Sequence, residues 1–264
     1  MNTTIRLENV SASLGETRVL SDVSVEFPEN ATTLIMGPSG CGKSTLLRVA
    51  CGIIPPDTGT VFVDDRDLAM LNHRTLLEFR KYSGFVFQSG ALWQNMSIYD
   101  NIALPISFHY PTMTHTEIAT RISELTHQLS FTGDLRNRPS QLSGGQIKLV
   151  SFIRALSATP RLLFLDEPTT FLDAQTVGNV LRVVKHLKST STTIIGATHN
   201  AQFASQCADN LVVMSEGRIL AFGPFNDIVR SEDQAVAAIL SDVLSETATY
   251  AGDVLDLLGS DTLD

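Results

Sequence analysis

The chain has 264 residues, of which 43% are hydrophobic and 7% aromatic, so it carries enough apolar side chain to bury a sizeable core. This composition excludes a disordered chain, a collagen-like repeat and a coiled-coil rod. The net charge is −9, and eight of those charges arise beyond Arg230, so the nearly neutral remainder offers DNA or RNA no broad basic surface.

The N-terminal residues and the cysteines predict the cellular compartment of the chain. The first ten residues have no apolar core of a secretory signal, and no uncharged stretch is apolar enough to span a bilayer. Three cysteines are an odd number, and they lack the spacing of metal ligands. We therefore expect a reduced, cytosolic chain.

The N-terminal part predicts strands that lead into a glycine-rich loop. Residues 5–27 alternate as strands broken by a turn at residues 14–16. The continuous apolar run at residues 32–36 predicts a buried parallel strand, and a helix is expected from Ser44 to Ala50.

The rest of the body alternates between helices and strands. Residues 97–156 are predicted to be mostly helical, with a capping box at residues 114–117. Two buried strands at 162–165 and 193–196 and a hairpin over 211–222 follow. This order predicts an α/β fold with a mainly parallel sheet.

The tail has a helical periodicity of its own. One predicted face consists of Val236, Ile239, Leu240, Val243 and Leu244, and a second of Tyr250, Val254, Leu257 and Leu258. These faces either fold back on their own domain or dock onto a second copy or another subunit. We predict a domain over residues 1–230, with a helical subdomain at about 89–158, and an acidic helical extension over 231–264.

A phosphate-binding loop lies between the buried strand and the first helix. The pattern G-x-x-x-x-G-K-[ST] is matched by Gly37, Pro38, Ser39, Gly40, Cys41, Gly42, Lys43 and Ser44. In such a loop successive N–H groups point at phosphate oxygens, the lysine reaches the β- and γ-phosphates, and the hydroxyl suits Mg²⁺. An ordinary glycine turn is the alternative. Cys41 stands at a free position of the pattern and is interpreted as filler.

Two carboxylates follow the strand at residues 162–165. Ligands of open α/β sheets bind at the carboxyl ends of strands, so Asp166 is placed to hold Mg²⁺. Glu167 is expected to point the opposite way along the strand and to act as the general base on the attacking water. A solvated acidic pair at a strand end is the alternative.

The pentapeptide Leu142-Ser143-Gly144-Gly145-Gln146 lies between these two features. With it, the chain resembles the nucleotide-binding subunits of ABC transporters over about residues 5–225. The family's other motifs also find matching positions in the family's order: the Q-loop glutamine at Gln88, the D-loop aspartate at Asp173 and the switch histidine at His199.

The resemblance implies an ATPase that uses ATP and Mg²⁺. Gln88 is expected to contact Mg²⁺ or the attacking water, and His199 the γ-phosphate bound to the same chain. Ser143 and Gly145 are expected to bind the γ-phosphate held by a second copy, so two copies close two ATP molecules between them. The nucleotide-binding set implied in this way also contains Thr45, Gly144, Gln146 and Asp173.

Several positions depart from the family pattern. Leu14 stands where an aromatic residue usually stacks on adenine, and Leu14 and Val19 are expected to sandwich the ring instead. Phe171 replaces a small residue of the D-loop, and Asn200 follows the switch histidine in place of aspartate. Residues 147–149 replace a commonly basic stretch.

The resemblance also predicts partners. A separate membrane permease is expected, on the cytoplasmic face of the inner membrane. The run from Gln88 to Trp93 looks like that of ATPases serving MCE-type lipid transporters, which predicts phospholipid or another hydrophobic cargo and an MCE-type protein in the complex. Trp93 either covers the groove for a permease helix or caps the helical subdomain.

Three rival functions remain open. The first is the ATPase of an importer of amino acids, metals or other small solutes. The second is a soluble ABC ATPase of DNA repair or translation, but neither a coiled-coil insertion nor a second cassette is visible and the charge disfavours nucleic acid. The third is a simple P-loop kinase, which leaves the pentapeptide unexplained.

Overall fold

The computed structural model describes residues 4–248. Its strands are β1 (Ile5–Leu14), β2 (Thr17–Phe27), β3 (Thr32–Met36), β4 (Thr58–Val63), β5 (Arg66–Asp67), β6 (Ser83–Val86), β7 (Leu162–Asp166), β8 (Thr193–Ala197), β9 (Asn210–Ser215) and β10 (Arg218–Pro224). Its helices are α1 (Lys43–Ala50), α2 (His73–Tyr82), α3 (Ile98–His109), α4 (His115–Gln128), α5 (Gly144–Ser157), α6 (Ala174–Ser189), α7 (Ala201–Cys207), α8 (Phe225–Val229) and α9 (Gln234–Ala248). Short 3-10 turns occupy Leu68–Met70 and Pro139–Gln141.

The chain divides into two compact units. Among the described residues, the first contains those up to Met70 and from Ile195 onward. It holds an antiparallel sheet with the order β2-β1-β4-β5, together with the strands β10, β9 and β3. β3 pairs with β9 in parallel, with Leu34 opposite Leu211, and β9 and β10 form the predicted antiparallel hairpin.

The second unit contains Leu71–Ile194. Here β6 and β7 pair in parallel with Phe85 opposite Phe164, and the rings of these two residues stack with centroids 5.8 Å apart. Helices α3, α4 and α5 pack against one another, and α5 also packs on β6. The predicted capping box is present, since the Thr114 hydroxyl accepts from the Glu117 N–H and the Glu117 carboxylate accepts from the Thr114 N–H.

The buried strands confirm the predicted α/β fold. Every residue of β3, β7 and β8 is buried, as expected for runs of apolar residues in a sheet with both faces covered. β8 starts in the second unit and ends in the first, so it carries the chain from one to the other. No helix among residues 4–248 is both long enough and apolar enough to cross a bilayer.

Helix α9 contains the first predicted face of the tail and supports the interpretation that this face packs on its own domain. Val236, Leu240 and Val243 are buried, and α9 packs against α7, α8 and β9 of its own unit. These three residues of the first predicted face therefore pack on their own domain, whereas the side chain of Leu244 lies outside the described part of the chain. The second predicted face, from Tyr250 to Leu258, lies outside the described residues, and the extension as a separate segment stays a prediction.

Candidate nucleotide site

The predicted site residues fall into two groups, one in each unit. The first unit carries Leu14, Val19, the loop Gly37–Ser44 with Thr45, and His199. The second unit carries Gln88, the pentapeptide with Ser143–Gln146, the carboxylates Asp166 and Glu167, and Asp173.

The phosphate loop joins β3 to α1 and is shaped by its own lysine. Lys43 is 9% exposed, and its ammonium donates hydrogen bonds to the carbonyl oxygens of Gly37 at 2.7 Å and Pro38 at 2.9 Å. Gly42 precedes α1 with φ at 108° and offers no side chain to cap the helix. The first N–H groups of a helix have no acceptor inside it, so this end of α1 is suited to a phosphate.

Close packing fixes the start of the loop. A Cβ atom on Gly37 would lie 2.2 Å from the carbonyl oxygen of Met214, so only glycine fits there. Cys41 is buried, its carbonyl accepts from the N–H of Gly217 at 3.0 Å, and burial raises the pKa of its thiol. A buried, protonated thiol is unreactive, which favours the interpretation of Cys41 as filler.

Of the two residues expected to hold adenine, Val19 lies close to this loop. Val19 is half-buried, and its carbonyl oxygen is 2.9 Å from the position that a Cβ on Gly42 would take. Leu14 ends β1, and its side chain is 45% exposed. The sandwich of the base by these side chains stays a prediction.

His199 occupies the turn between β8 and α7. Its ring is exposed, and the preceding residue, Thr198, donates its N–H to the carbonyl of Ile35 in β3, two residues before the loop. The unusual Asn200 has a local function: its side-chain oxygen accepts from the N–H of Phe203 at 2.7 Å and caps α7. Asparagine caps a helix about as well as aspartate, so this departure leaves the turn intact.

The carboxylates behind β7 differ from the expectation in one respect. Asp166 is the last residue of β7 and is fully buried. Glu167 is 8% exposed and adopts φ at 48°, so the chain leaves the strand there. Strand alternation therefore does not decide where Glu167 points, and the basis of that prediction was wrong. A left-handed residue other than glycine is typical of sites where the chain must place a functional group.

The pentapeptide forms the beginning of α5. Ser143 is its N-cap: its hydroxyl accepts from the N–H of Gln146, and the Gln146 side chain accepts from the N–H of Ser143 at 3.0 Å. This is a second capping box, which the sequence analysis missed. It holds the exposed first turn of α5 in place, with the N–H groups of Gly144 and Gly145 at the positive end of the helix dipole.

The structure brings the D-loop and the pentapeptide together around a cleft of about 520 Å³. Phe171 has φ at 68°, and its carbonyl oxygen is 2.8 Å from the position of a Cβ on Gly145, so a side chain there would collide. Asp173 caps α6 by accepting from the N–H of Thr176 at 2.8 Å, and this bond lowers the pKa of its carboxyl. A cap is the role visible for Asp173, and nucleotide contact stays a prediction.

The Q-loop is held by two cations of α5. The ammonium of Lys148 donates to the carbonyls of Phe87 at 2.9 Å and Gln88 at 2.8 Å. The guanidinium of Arg154 donates to the carbonyls of Gly90 and Ala91. Burial lowers the pKa of Lys148 to about 8, although the charges of Asp166 and Glu167 oppose the shift. The side chain of Gln88 stays exposed.

Trp93 follows the Q-loop and lines a second cleft, of about 380 Å³. The main-chain N–H of Trp93 donates to the side-chain oxygen of the fully buried Asn101 at 2.8 Å, and the Asn101 amide donates back to the Trp93 carbonyl. The main chain is thus fixed while the indole is 59% exposed, and Phe108 on α3 is 63% exposed. The exposed ring favours the interpretation as part of a docking groove over that of a local cap.

These groups fit ATP and Mg²⁺ by their chemistry. The loop supplies backbone N–H groups and a lysine for phosphate, and the proposed metal set of Ser44, Gln88 and Asp166 supplies only oxygen ligands, which Mg²⁺ prefers. When bound, the ion would neutralise phosphate charge during transfer.

The sequence analysis did not predict the contacts of three residues that hold the loop from residue 87 to residue 93. Asn101 and Arg154 lie on predicted helices and gave no local signal, because their partners are main-chain groups. Lys148 did give one: it is a lone charge in an apolar stretch of α5, between Ile147 and Leu149, and it is 1% exposed.

Comparisons with known proteins identify the same family. Residues 20–170 match the model of the family described as ABC transporter. The chain is 33% identical over 226 residues to the methionine import ATP-binding protein MetN of Clostridioides difficile, covering 85% of this chain and 70% of that one. It is 30% identical over 237 residues to the intermembrane phospholipid transport system ATP-binding protein MlaF of Haemophilus influenzae, covering 89% of each chain.

A solved structure agrees with this result. A dimeric ATP-binding cassette in a post-hydrolysis state, bound to ADP and Pi, superposes with a TM-score of 0.77 at 29% identity. The match covers 83% of this chain and 98% of that cassette.

Proposed function

The chain belongs to the ABC transporter ATPases, and from that premise we propose that it works as a pair of copies, bound to a separate membrane permease, that hydrolyse ATP to drive transport. ATP binding and hydrolysis belong to the family. The pairing, the permease and the cargo are the proposal.

The exposed first turn of α5 is the observation that supports the pairing of two copies. The capping box and the helix dipole make this turn suitable for binding an anion. Ser143 and Gly144 are exposed, so an anion can reach them from outside. A second copy that presents ATP on its own phosphate loop supplies that anion. The dimeric cassette with bound ADP and Pi supports this arrangement.

In this assembly each residue has one task. Lys43 and the loop bind the β- and γ-phosphates, Glu167 accepts the proton of the attacking water, and Gln88 and His199 orient the water and the γ-phosphate. Because the second copy completes each site, hydrolysis weakens the interface that ATP had stabilised. The permease is moved by that change.

Glu167→Gln tests this assembly. The amide keeps the shape of the carboxylate but accepts no proton, so turnover is expected to fall by about 100-fold or more while ATP binding persists. Size-exclusion chromatography with ATP and Mg²⁺ should then show a stable dimer, and none without nucleotide. Glu124→Gln, at an exposed carboxylate on α4, is the matched control. A variant that stays monomeric with ATP would contradict the pairing.

For the cargo, phospholipid or another hydrophobic molecule moved with an MCE-type protein is the first candidate. The run Gln88–Trp93 and the MlaF relative support it. The exposed Trp93 beside the second cleft offers a surface for the permease. The docking of a permease helix at that cleft, on the cytoplasmic face of the inner membrane, belongs to the same proposal.

Import of methionine or another small solute is the second candidate, and the MetN relatives favour it. The two separate in one experiment on the complex purified through this chain and placed in nanodiscs. Lipid transport predicts a copurified permease and a copurified MCE-type protein that still carries phospholipid, measured by mass spectrometry, after it is separated from the nanodisc. Import predicts turnover stimulated by a solute-loaded binding protein and no copurified MCE-type protein.

A further inference from the structure

Lys148 is a buried cation that the proposed mechanism does not use. It lies in the second turn of α5 and is 1% exposed, although lysine is among the residues least often fully buried. A charge removed from water in this way needs strong compensating contacts.

Two consecutive carbonyl groups of the Q-loop supply that compensation. The Lys148 ammonium donates to Phe87 and Gln88 at 2.9 and 2.8 Å, both within the range of good hydrogen bonds. The negative charges of Asp166 and Glu167 also act on this ammonium. Lys148 therefore connects the Q-loop main chain electrostatically to the carboxylates behind β7.

The same helix holds the following residues of the loop. Arg154 donates to Gly90 and Ala91 at 2.9 and 2.7 Å, and Ile147 fills the space where a side chain at residue 90 would lie. Lys148 and Arg154 are six positions apart, or about 9 Å along the helix axis. The segment 87–91 is thus bound along α5, the helix whose first turn is the pentapeptide.

We propose that Lys148 is a positioning residue for ATP hydrolysis, which holds the main chain of Phe87 and Gln88 on α5 so that the Gln88 side chain keeps its place relative to Glu167. The inference rests on the proposed roles of Gln88 and Glu167. It gives the Q-loop and the pentapeptide helix a common anchor that local sequence motifs do not encode.

Lys148→Met tests the anchor, because methionine has a similar length and no donor. We expect kcat for ATP hydrolysis to fall at least about tenfold while KM for ATP changes less than about twofold, since the phosphate loop is untouched. Lys148→Arg, which restores charge and donors, should recover most of kcat. Lys185→Met on the exposed side of α6 is the control for loss of a lysine.

A double-mutant cycle with Gln88→Ala shows whether Lys148 acts through the Q-loop. If it does, the double variant turns over no more slowly than the worse single variant. Independent, multiplying losses would overturn the inference, as would a Lys148→Met variant with normal kcat. Glu167→Gln serves as the benchmark: if it is inactive while Lys148→Met is normal, only this inference fails, whereas an active Glu167→Gln removes the proposed mechanism itself.

The fold is monitored in parallel. Should Lys148→Met not fold, Lys148→Gln replaces it, since glutamine keeps a donor without the charge and should lie between Arg and Met in kcat. Hydrogen exchange of the amides of residues 87–91 gives a readout independent of turnover. Faster exchange there in the variant, with α1 unchanged, supports the anchor, and unchanged exchange overturns it.

Discussion

Two buried lysines of this protein each donate to a pair of main-chain carbonyls, but the two contacts serve different purposes. Lys43 donates to the carbonyls of Gly37 and Pro38, and Lys148 donates to those of Phe87 and Gln88. Lys43 binds carbonyls of its own loop, five and six residues earlier, whereas Lys148 reaches back sixty and sixty-one residues. The first keeps a cation ready for phosphate, and the second fixes the position of a distant loop.

The largest expected effect separates the two lysines by nucleotide affinity. Lys43→Met removes a charged donor to phosphate, so ATP affinity should fall by about 100-fold, with turnover lost. Titration with a fluorescent ATP analogue measures this, with Lys148→Met as the comparison that keeps its affinity. Equal losses of affinity in both variants would abolish the distinction.

A loss of turnover without a loss of affinity extends the comparison to the first turn of α5. Ser143→Trp places a large ring on the first turn, where the γ-phosphate of the second copy is proposed to bind, so kcat should fall by about 100-fold with ATP affinity intact. Turnover assays measure kcat, and the same titration measures the affinity for ATP. Ser123→Trp, on the exposed side of α4, is the control. Normal turnover in Ser143→Trp would contradict the composite site.

The smallest effect concerns stability only. Thr114→Ala removes the hydroxyl of the capping box of α4, and we expect a loss of about 1 kcal/mol in the free energy of unfolding. Urea denaturation followed by circular dichroism measures it. Because this helix end contributes no proposed catalytic group, turnover at 25 °C should stay within about twofold; a larger change would tie α4 to the chemistry.

Local sequence patterns predicted the structural features that depend on residues close together in the sequence. The apolar runs of β3, β7 and β8, the hairpin of β9 and β10 and the α4 capping box are all present as expected. Lys43 belongs to a motif whose residues are consecutive. Each of these features is decided within about ten residues of the chain, where period and capping rules apply.

Contacts between distant segments were not predicted. The sequence marked residues 147–149 only as a departure, because nothing near Lys148 shows that its partners are the carbonyls of residues 87 and 88. The second capping box was overlooked within the pentapeptide, and the left-handed φ of Glu167 ended the strand pattern before it could orient that side chain. The capping box is local and could have been predicted from the serine and glutamine three residues apart. The contacts of Lys148 and of α9 are decided by tertiary packing, which no local pattern describes.

The burial of the cysteines has a practical consequence. Cys41 and Cys207 are buried, and burial raises the pKa of the Cys51 thiol to about 12. Thiols that stay protonated react slowly with maleimides and peroxide. The native cysteines are therefore expected to take up little label. A single cysteine introduced at residue 171 or 93 and labelled with a fluorophore would report the binding of a second copy or of a permease.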